Sequence, residues 1–183
     1  MSPRTNPHPY SRLAPNIVLI GLSGSGKSTV AQHLARCLGW KPIDLDSQIE
    51  NAERAPITEI FARRGEAEFR RIESESIATA MNGEHQVIAT GGGAILLDEN
   101  RERLWARGFV VYLRSSAETL VSRLTEQGSD ERPLLRGDLQ QRLASLLESR
   151  CRYYEEAHAV IDTDGMSPAD LAERIVGAYG QSH

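Results

Sequence analysis

One segment of the sequence, Gly21-Leu-Ser-Gly-Ser-Gly-Lys-Ser28, fits the pattern G-x-x-x-x-G-K-[ST] of the phosphate-binding loop of nucleotide triphosphatases. Glycines in such a loop let successive backbone N–H groups turn inward around phosphates, while Lys27 adds a positive charge and Ser28 offers a hydroxyl to Mg²⁺. The apolar run 16–20 before the loop is typical of a buried strand, and apolar residues recur at helical spacing after it. A strand, a loop and a helix in this order predict a nucleotide-binding protein.

The rest of the chain alternates strand and helix patterns, which predicts a three-layer α/β/α fold with helices on both faces of a parallel sheet. Four further strands are predicted at 41–44, 86–90, 109–113 and 159–162. Helices are predicted at 57–64, 66–81, 98–107, 116–126, 138–156 and 167–178. Ligands bind such sheets at the carboxyl ends of the strands, so functional residues are expected directly after each strand.

The length of 183 residues and the 40% apolar content suit one domain, predicted at 16–183. Residues 1–15 contain four prolines and no apolar run, which predicts a flexible arm with no secretory segment. No membrane segment is predicted elsewhere, and the net charge of −4 argues against nucleic acid as a partner. Cys37 and Cys151 have no metal-ligand spacing, so we expect a protein of the reducing cytoplasm.

A pair of carboxylates, Asp44-Leu-Asp46, follows the second predicted strand. In an extended chain this spacing points both side chains to the same side. One carboxylate could then face Mg²⁺ and the other an acceptor hydroxyl, a division of roles that suits phosphoryl transfer. Alternatively, Asp46 only caps a helix that begins at Ser47.

Two other segments also allow a functional and a purely structural interpretation. The triple glycine at 91–93 follows the third predicted strand and could let a ligand lie against backbone N–H groups, or it could be a flexible turn. Arg70 lies in a highly charged helix, where Arg70 and Arg71 could simply pair with glutamates at helical spacing on a solvated face.

Residues 127–137 interrupt two predicted helices with turn-forming residues and include Arg132 before Pro133. A loop of this length is often a lid. If it folds over the nucleotide, the Arg132 guanidinium could stabilise charge on the transferring phosphoryl group. A mobile linker with arginines in solvent is the alternative.

Taken in order, these segments resemble the motifs of the shikimate kinase family over roughly residues 15–178. The resemblance rests on Gly24-Ser-Gly-Lys-Ser-Thr29, Asp44-Leu-Asp46, Gly65-Glu-Ala-Glu-Phe-Arg-Arg-Ile-Glu73, Thr90-Gly-Gly-Gly-Ala94, Arg132-Pro-Leu-Leu135 and Arg150-x-x-x-Tyr154. It implies a P-loop kinase with a five-stranded parallel sheet of order 2-3-1-4-5 and a mobile lid at about 127–137. It also implies transfer of the ATP γ-phosphate to the 3-hydroxyl of shikimate, a step in aromatic amino-acid biosynthesis.

The resemblance also implies a role for each matching residue on the ATP side. The phosphates would be held by Gly24, Ser25, Gly26, Lys27, Ser28 and Thr29. Lys27 would stabilise the transferred charge, and Mg²⁺ would be held by Ser28 and, through water, by Asp44. Arg132 would close over ATP from the lid.

On the acceptor side, the resemblance implies that Asp46 binds shikimate hydroxyls and orients or deprotonates the attacking one. Arg70 and Arg150 would clamp the carboxylate, for which planar guanidinium groups are well suited, and Gly92 would approach the ring. Arg152 is an alternative to Arg150, because it lies close by in the same predicted helix.

Two other functions remain open. The loop residues 22–25 also look like those of gluconate kinases, so a different small-molecule acceptor is possible. A catalytically silent paralogue that senses a ligand is the other alternative, although Lys27, Ser28, Asp44 and Asp46 are all present. Shikimate and ATP are the expected ligands, and we expect a monomer.

Overall fold

Five short strands form a parallel sheet in the computed structural model, which describes residues 4–5, 14–126 and 139–181. The strands are β1 (Asn16–Ile20), β2 (Lys41–Asp44), β3 (Gln86–Ala89), β4 (Gly108–Arg114) and β5 (Ala159–Asp162). They lie in the order β2-β3-β1-β4-β5, so the predicted strand order is confirmed. Ile17 of β1 is paired with Val87 of β3 on one side and with Phe109 of β4 on the other, which places β1 in the centre.

Helices connect the strands in the described part of the chain. They are α1 (Lys27–Leu38), α2 (Leu45–Glu53), α3 (Ile57–Ala80), α4 (Asp98–Arg107), α5 (Ala117–Glu126), α6 (Leu139–Tyr154) and α7 (Pro168–Gln181). A short 3₁₀ helix, Ala94–Leu96, precedes α4. The two helices predicted at 57–64 and 66–81 are present as two segments of α3, which are divided by a kink at Gly65, where φ is 79° and ψ is 171°.

The sheet has an apolar core on each face, as successive side chains of a strand point to opposite faces. Ile17 and Leu19 pack in one core with apolar residues of α1 and α7. Val18 and Ile20 pack in the other core with residues of α3, α4, α5 and α6. These four β1 side chains are fully buried, and burial of each contributes about 1.5–3 kcal/mol. The predicted three-layer architecture is therefore confirmed.

Two residues of the N-terminal arm belong to the sheet. Arg4–Thr5 pair antiparallel with β5, with Arg4 opposite Val160 and Thr5 opposite Ala159. The sequence patterns did not predict this strand. The division into an arm at 1–15 and one domain at 16–183 stays a prediction.

The predicted lid, residues 127–137 with Arg132, lies outside the described residues. Among the residues that are described, no helix has both the length and the apolar character that a membrane span requires.

Candidate active site

The phosphate-binding loop connects β1 to α1, as predicted. Gly24 and Gly26 have φ values of 85° and 89°, which favour glycine over residues with a side chain. Gly26 directly precedes α1, and the first turn of that helix carries no acidic residue. The N–H groups of this first turn and the positive end of the helix dipole therefore form a suitable site for anionic phosphates.

Lys27 lies over this loop with its side chain almost entirely buried. Its Nζ donates to Gly21 O at 2.9 Å and to Leu22 O at 2.8 Å, so the positive charge is held at the loop. Ser28 and Thr29 follow in the first turn of α1 and are exposed. The predicted phosphate-binding residues are thus contiguous around one helix terminus.

The two carboxylates of Asp44-Leu-Asp46 do not lie on an extended segment, which corrects the predicted local structure. Asp44 ends β2 and is the N-cap of α2, where its Oδ1 accepts from Ser47 N at 3.0 Å. Asp46 already lies in the first helical turn. The helix begins here because the Asp44 side chain satisfies a free N–H group. A carboxylate of this pair therefore does cap the helix, but it is Asp44 and not Asp46.

The triple glycine is the point where the predicted acceptor residues meet. A Cβ built on Gly91 would lie 2.8 Å from Asp46 Oδ1 and 2.7 Å from Glu73 Oε1. A Cβ on Gly93 would lie 2.5 Å from the nearer nitrogen of the Arg70 guanidinium. An added Cβ at either position would displace these side chains from the glycine segment.

Gly92, between them, lies beside the phosphate-binding loop. A Cβ on Gly92 would be 3.3 Å from the backbone N of Ser23. The segment after β3 therefore joins the phosphate loop to the side chains of Asp46 and Arg70 at one edge of the sheet, as expected for ligand sites in this architecture.

The structure separates the two neighbouring arginines of α3. Arg71 is exposed and pairs with Glu68 at 2.8 Å and with Glu75, as the solvated-face interpretation describes. Arg70 faces Gly93 instead, and its Nη1 donates to the buried Glu73 Oε2 at 2.7 Å. Arg70 also lies 3.4 Å from the exposed Glu66.

Glu73 is a buried acid that the sequence reasoning gave no role. Burial raises the pKa of this carboxyl; Arg70 opposes the shift, and the nearby negative charge of Asp46 adds to it. Its Oε1 accepts no hydrogen bond within the described part of the chain. Glu73 lies three residues after Arg70, a spacing at which side chains on a helix are neighbours. This spacing was the signal that could have identified Glu73 as a partner of Arg70.

Helix α6 also contacts the triple glycine. Arg150 Nη1 donates to Gly92 O at 2.9 Å, and the Tyr154 hydroxyl donates to the same oxygen at 2.7 Å. Arg152 is exposed and its guanidinium lies 4.5 Å from the centre of the Tyr153 ring. Of the two candidate arginines, the structure brings Arg150 to the glycines.

A further arginine, Arg123 of α5, contacts the phosphate loop. Its Nη1 lies 3.4 Å from Ser25 O, and its Nη2 donates to Thr163 O at 3.3 Å, beyond the end of β5. The sequence did not predict this contact of Arg123, because a single arginine on an amphipathic helix carries no signal for it.

Comparisons with known proteins identify relatives of this site and fold. The model of the shikimate kinase family matches residues 23–179. The shikimate kinase of Symbiobacterium thermophilum is 46% identical over 163 residues, which cover 88% of this chain and 94% of the relative. That of Thermodesulfovibrio yellowstonii is 42% identical over 165 residues, which cover 90% of this chain and 94% of the relative.

A solved structure shows a similarity to the same family. The shikimate kinase of Acinetobacter baumannii, solved in complex with shikimate, superimposes with a TM-score of 0.87 at 39% sequence identity. The alignment covers 93% of this chain and 95% of that structure.

Proposed function

This chain belongs to the shikimate kinase family, and we propose that it transfers the γ-phosphate of ATP to the 3-hydroxyl of shikimate. The observation that carries the proposal is the triple glycine. Its neighbours are the phosphate loop at Gly92, a carboxylate at Gly91 and a guanidinium at Gly93. A phosphate donor and a carboxylate-bearing alcohol can therefore be held side by side.

On the donor side, residues Gly24 to Thr29 would bind the ATP phosphates through the loop N–H groups. Lys27, already held at the loop, would neutralise charge that develops on the transferring phosphoryl group. Ser28 and Asp44 offer the oxygen ligands that Mg²⁺ prefers, and Asp44 uses only Oδ1 to cap α2. When bound, Mg²⁺ neutralises phosphate charge.

On the acceptor side, Arg70 and Arg150, which both contact the glycine segment, would bind the shikimate carboxylate. Both guanidinium groups present a planar pair of donors that matches a carboxylate. Asp46, beside Gly91, would accept a hydrogen bond from the attacking hydroxyl and orient or deprotonate it. Gly92 would allow close approach of the ring.

Three finer points of the proposal come from the sequence. Arg132 would complete the site from the lid, the enzyme would act as a monomer, and it would work in the cytoplasm. The exposed, unpaired state of Cys37 and Cys151 agrees with a reducing compartment.

The test measures ADP release from Mg-ATP with shikimate, with gluconate or without acceptor, and uses the Lys27→Ala protein as the blank. We expect shikimate-dependent turnover that the substitution lowers by at least about a hundredfold, because charge stabilisation dominates phosphoryl transfer. Turnover with gluconate alone would overturn the acceptor assignment. Tight ATP binding without turnover on either acceptor would favour the ligand-sensing paralogue.

A further inference from the structure

Arg101 of α4 has no role in the proposed function, although it contacts the 3₁₀ helix that follows the triple glycine. Its Nη1 donates to Ile95 O at 2.7 Å and to Leu96 O at 3.4 Å, and its Nη2 pairs with Asp98 at 2.6 Å. The Arg101 side chain is only 17% exposed, whereas that of Asp98 is 85% exposed. Because an ion pair to an exposed partner contributes little, the backbone carbonyls are the contacts that place this guanidinium.

The 3₁₀ helix is in turn bonded to the glycines. Gly91 O accepts from Ala94 N at 3.1 Å, and Gly93 O accepts from Leu96 N at 3.0 Å. The buried Asn100 donates from Nδ2 to Ala94 O at 3.0 Å. The carbonyl groups of all three residues of the 3₁₀ helix therefore accept hydrogen bonds from α4 side chains, which holds the end of the glycine segment in place.

The Arg101 guanidinium also contacts α6. Its Cζ lies over the Tyr153 ring, 4.3 Å from the ring centre, and the Cζ of Arg152 lies over the same ring at 4.5 Å. A guanidinium over the face of a tyrosine at this distance makes an attractive cation–π contact. Arg152 belongs to α6 itself, so Arg101 is the partner that connects the ring to another element. One side chain thus joins α4, the 3₁₀ helix and α6.

This contact lies close to Arg150 on α6. Tyr153 follows Arg150 by three residues, a spacing at which side chains on a helix are neighbours. Arg150 itself donates to Gly92 O at 2.9 Å. Helix α6 is therefore attached to the glycine segment at Gly92 and to the 3₁₀ helix through Arg101. Two attachments limit the rotation of α6, and that rotation sets where the Arg150 guanidinium lies.

We propose that Arg101 is a positioning residue of the acceptor site, which joins the 3₁₀ helix to Tyr153 and thereby fixes α6 so that Arg150 is placed to bind the acceptor carboxylate. This inference rests on the proposed function, because the carboxylate is that of shikimate. A guanidinium that is held in position before binding loses less freedom when the ligand arrives. Loss of Arg101 should therefore weaken the binding of shikimate more than that of ATP.

The test replaces Arg101 by glutamine, which can still donate to the 3₁₀ helix but loses the charge and the guanidinium over Tyr153. The matched control is Arg103→Gln on the same helix, because Arg103 is exposed and pairs among the described residues only with Glu99, at 3.6 Å. We expect Arg101→Gln to raise the KM for shikimate about three- to tenfold, with kcat and the KM for ATP close to wild type. Arg103→Gln should match wild type in all three constants.

A double-mutant cycle with Arg150→Ala shows whether Arg101 acts through Arg150. The measured quantity is kcat/KM for shikimate in the wild type, the two single variants and the double variant. Arg101→Gln should lower kcat/KM about three- to tenfold in the wild-type background and less than about twofold in the Arg150→Ala background. Equal effects in the two backgrounds would overturn the inference.

A purely structural role of Arg101 would lower the melting temperature and, through loss of folded protein, the apparent kcat, with an unchanged KM for shikimate. That result would overturn the inference and leave the proposed function intact. Tyr153→Leu removes the other partner of the same contact and should raise the KM for shikimate similarly. If Arg101→Gln does not fold, an unchanged KM in Tyr153→Leu overturns the inference in its place. A wild-type protein without shikimate-dependent ADP release would overturn the proposed function itself.

Discussion

Arg70 and Arg71 are adjacent in the sequence, but only Arg70 reaches the glycine segment, where its side chain is largely buried. Arg71 remains in an exposed ion-pair network, which contributes only tenths of a kcal/mol per pair. This difference in side-chain position decides which arginine can contact a substrate. The two side chains point in different directions because residues one position apart on a helix are about 100° apart.

The first prediction compares the same substitution at these two positions. Arg70→Lys should raise the KM for shikimate about tenfold or more, since lysine cannot bind a carboxylate through two parallel hydrogen bonds. Arg71→Lys should change the KM less than about twofold, because its partners are solvent-exposed. Steady-state kinetics with shikimate as the varied substrate measure both. Equal effects of the two substitutions would contradict the assignment of Arg70.

The second prediction concerns Glu73 and the pH dependence of stability. Its pKa in the folded protein lies above the ordinary value of 4.5, so folding favours the protonated form. The stabilisation that this provides is complete below the unfolded pKa and is lost as the pH rises through the folded pKa. Wild-type stability should therefore increase relative to Glu73→Gln as the pH falls from neutral towards 4.5.

Urea denaturation of both proteins at several pH values between these limits measures this difference. Glutamine is the appropriate replacement because its amide oxygen can still accept from Arg70 while it does not titrate. A difference in unfolding free energy that is constant with pH would contradict a raised pKa for Glu73.

At the scale of secondary-structure elements, α3 shows how one residue joins two helical segments. Gly65 has a conformation that residues with a Cβ rarely adopt, but a Cβ there would meet nothing within 4 Å. The cost of a substitution is therefore backbone strain alone. The kink matters for the site because Arg70 and Glu73 follow it in the same helix.

The third prediction uses two glycines with the same open surroundings. Gly65→Ala should destabilise the protein by about 1–2 kcal/mol, because alanine is strained at this φ. Gly177→Ala, in the interior of α7 and likewise free of contacts, should stabilise it by about 0.5–1 kcal/mol. Chemical denaturation gives both values. Stabilisation by Gly65→Ala would mean that the kink is not strained.

At the scale of the whole molecule, the sheet has two different edges. The β2 edge belongs to a strand whose first two residues are exposed, whereas the β5 edge carries the short antiparallel strand Arg4–Thr5. Two paired residues add little to a sheet whose five parallel strands already have apolar cores on both faces. The N-terminal arm is therefore expected to contribute little to folding.

The fourth prediction follows from this. Deletion of residues 1–13 should change the free energy of unfolding by less than about 1 kcal/mol, since the pairing that the described residues lose is that of Arg4 and Thr5 with β5. Shikimate-dependent ADP release should remain at the wild-type rate. A large loss of stability or of activity in the shortened protein would show that the arm is part of the domain.

The sequence alone predicted the parts of this protein that depend on consecutive residues. The phosphate loop acts through neighbouring backbone N–H groups, so its composition and its place between a strand and a helix were sufficient to identify it. Strand order and the acceptor residues came from the family resemblance. The start of α2 was mispredicted, because a capping side chain at Asp44 outweighed the extended pattern.

Tertiary structure decided which side chains meet. The burial of Glu73, the contact of Tyr154 with Gly92 O and the position of Arg123 at the phosphate loop join residues from separate elements. Helical and strand periodicity tell which face a residue occupies, but not which element lies opposite that face. For that physical reason, the distinction between the buried Arg70 and the exposed Arg71 required the folded chain.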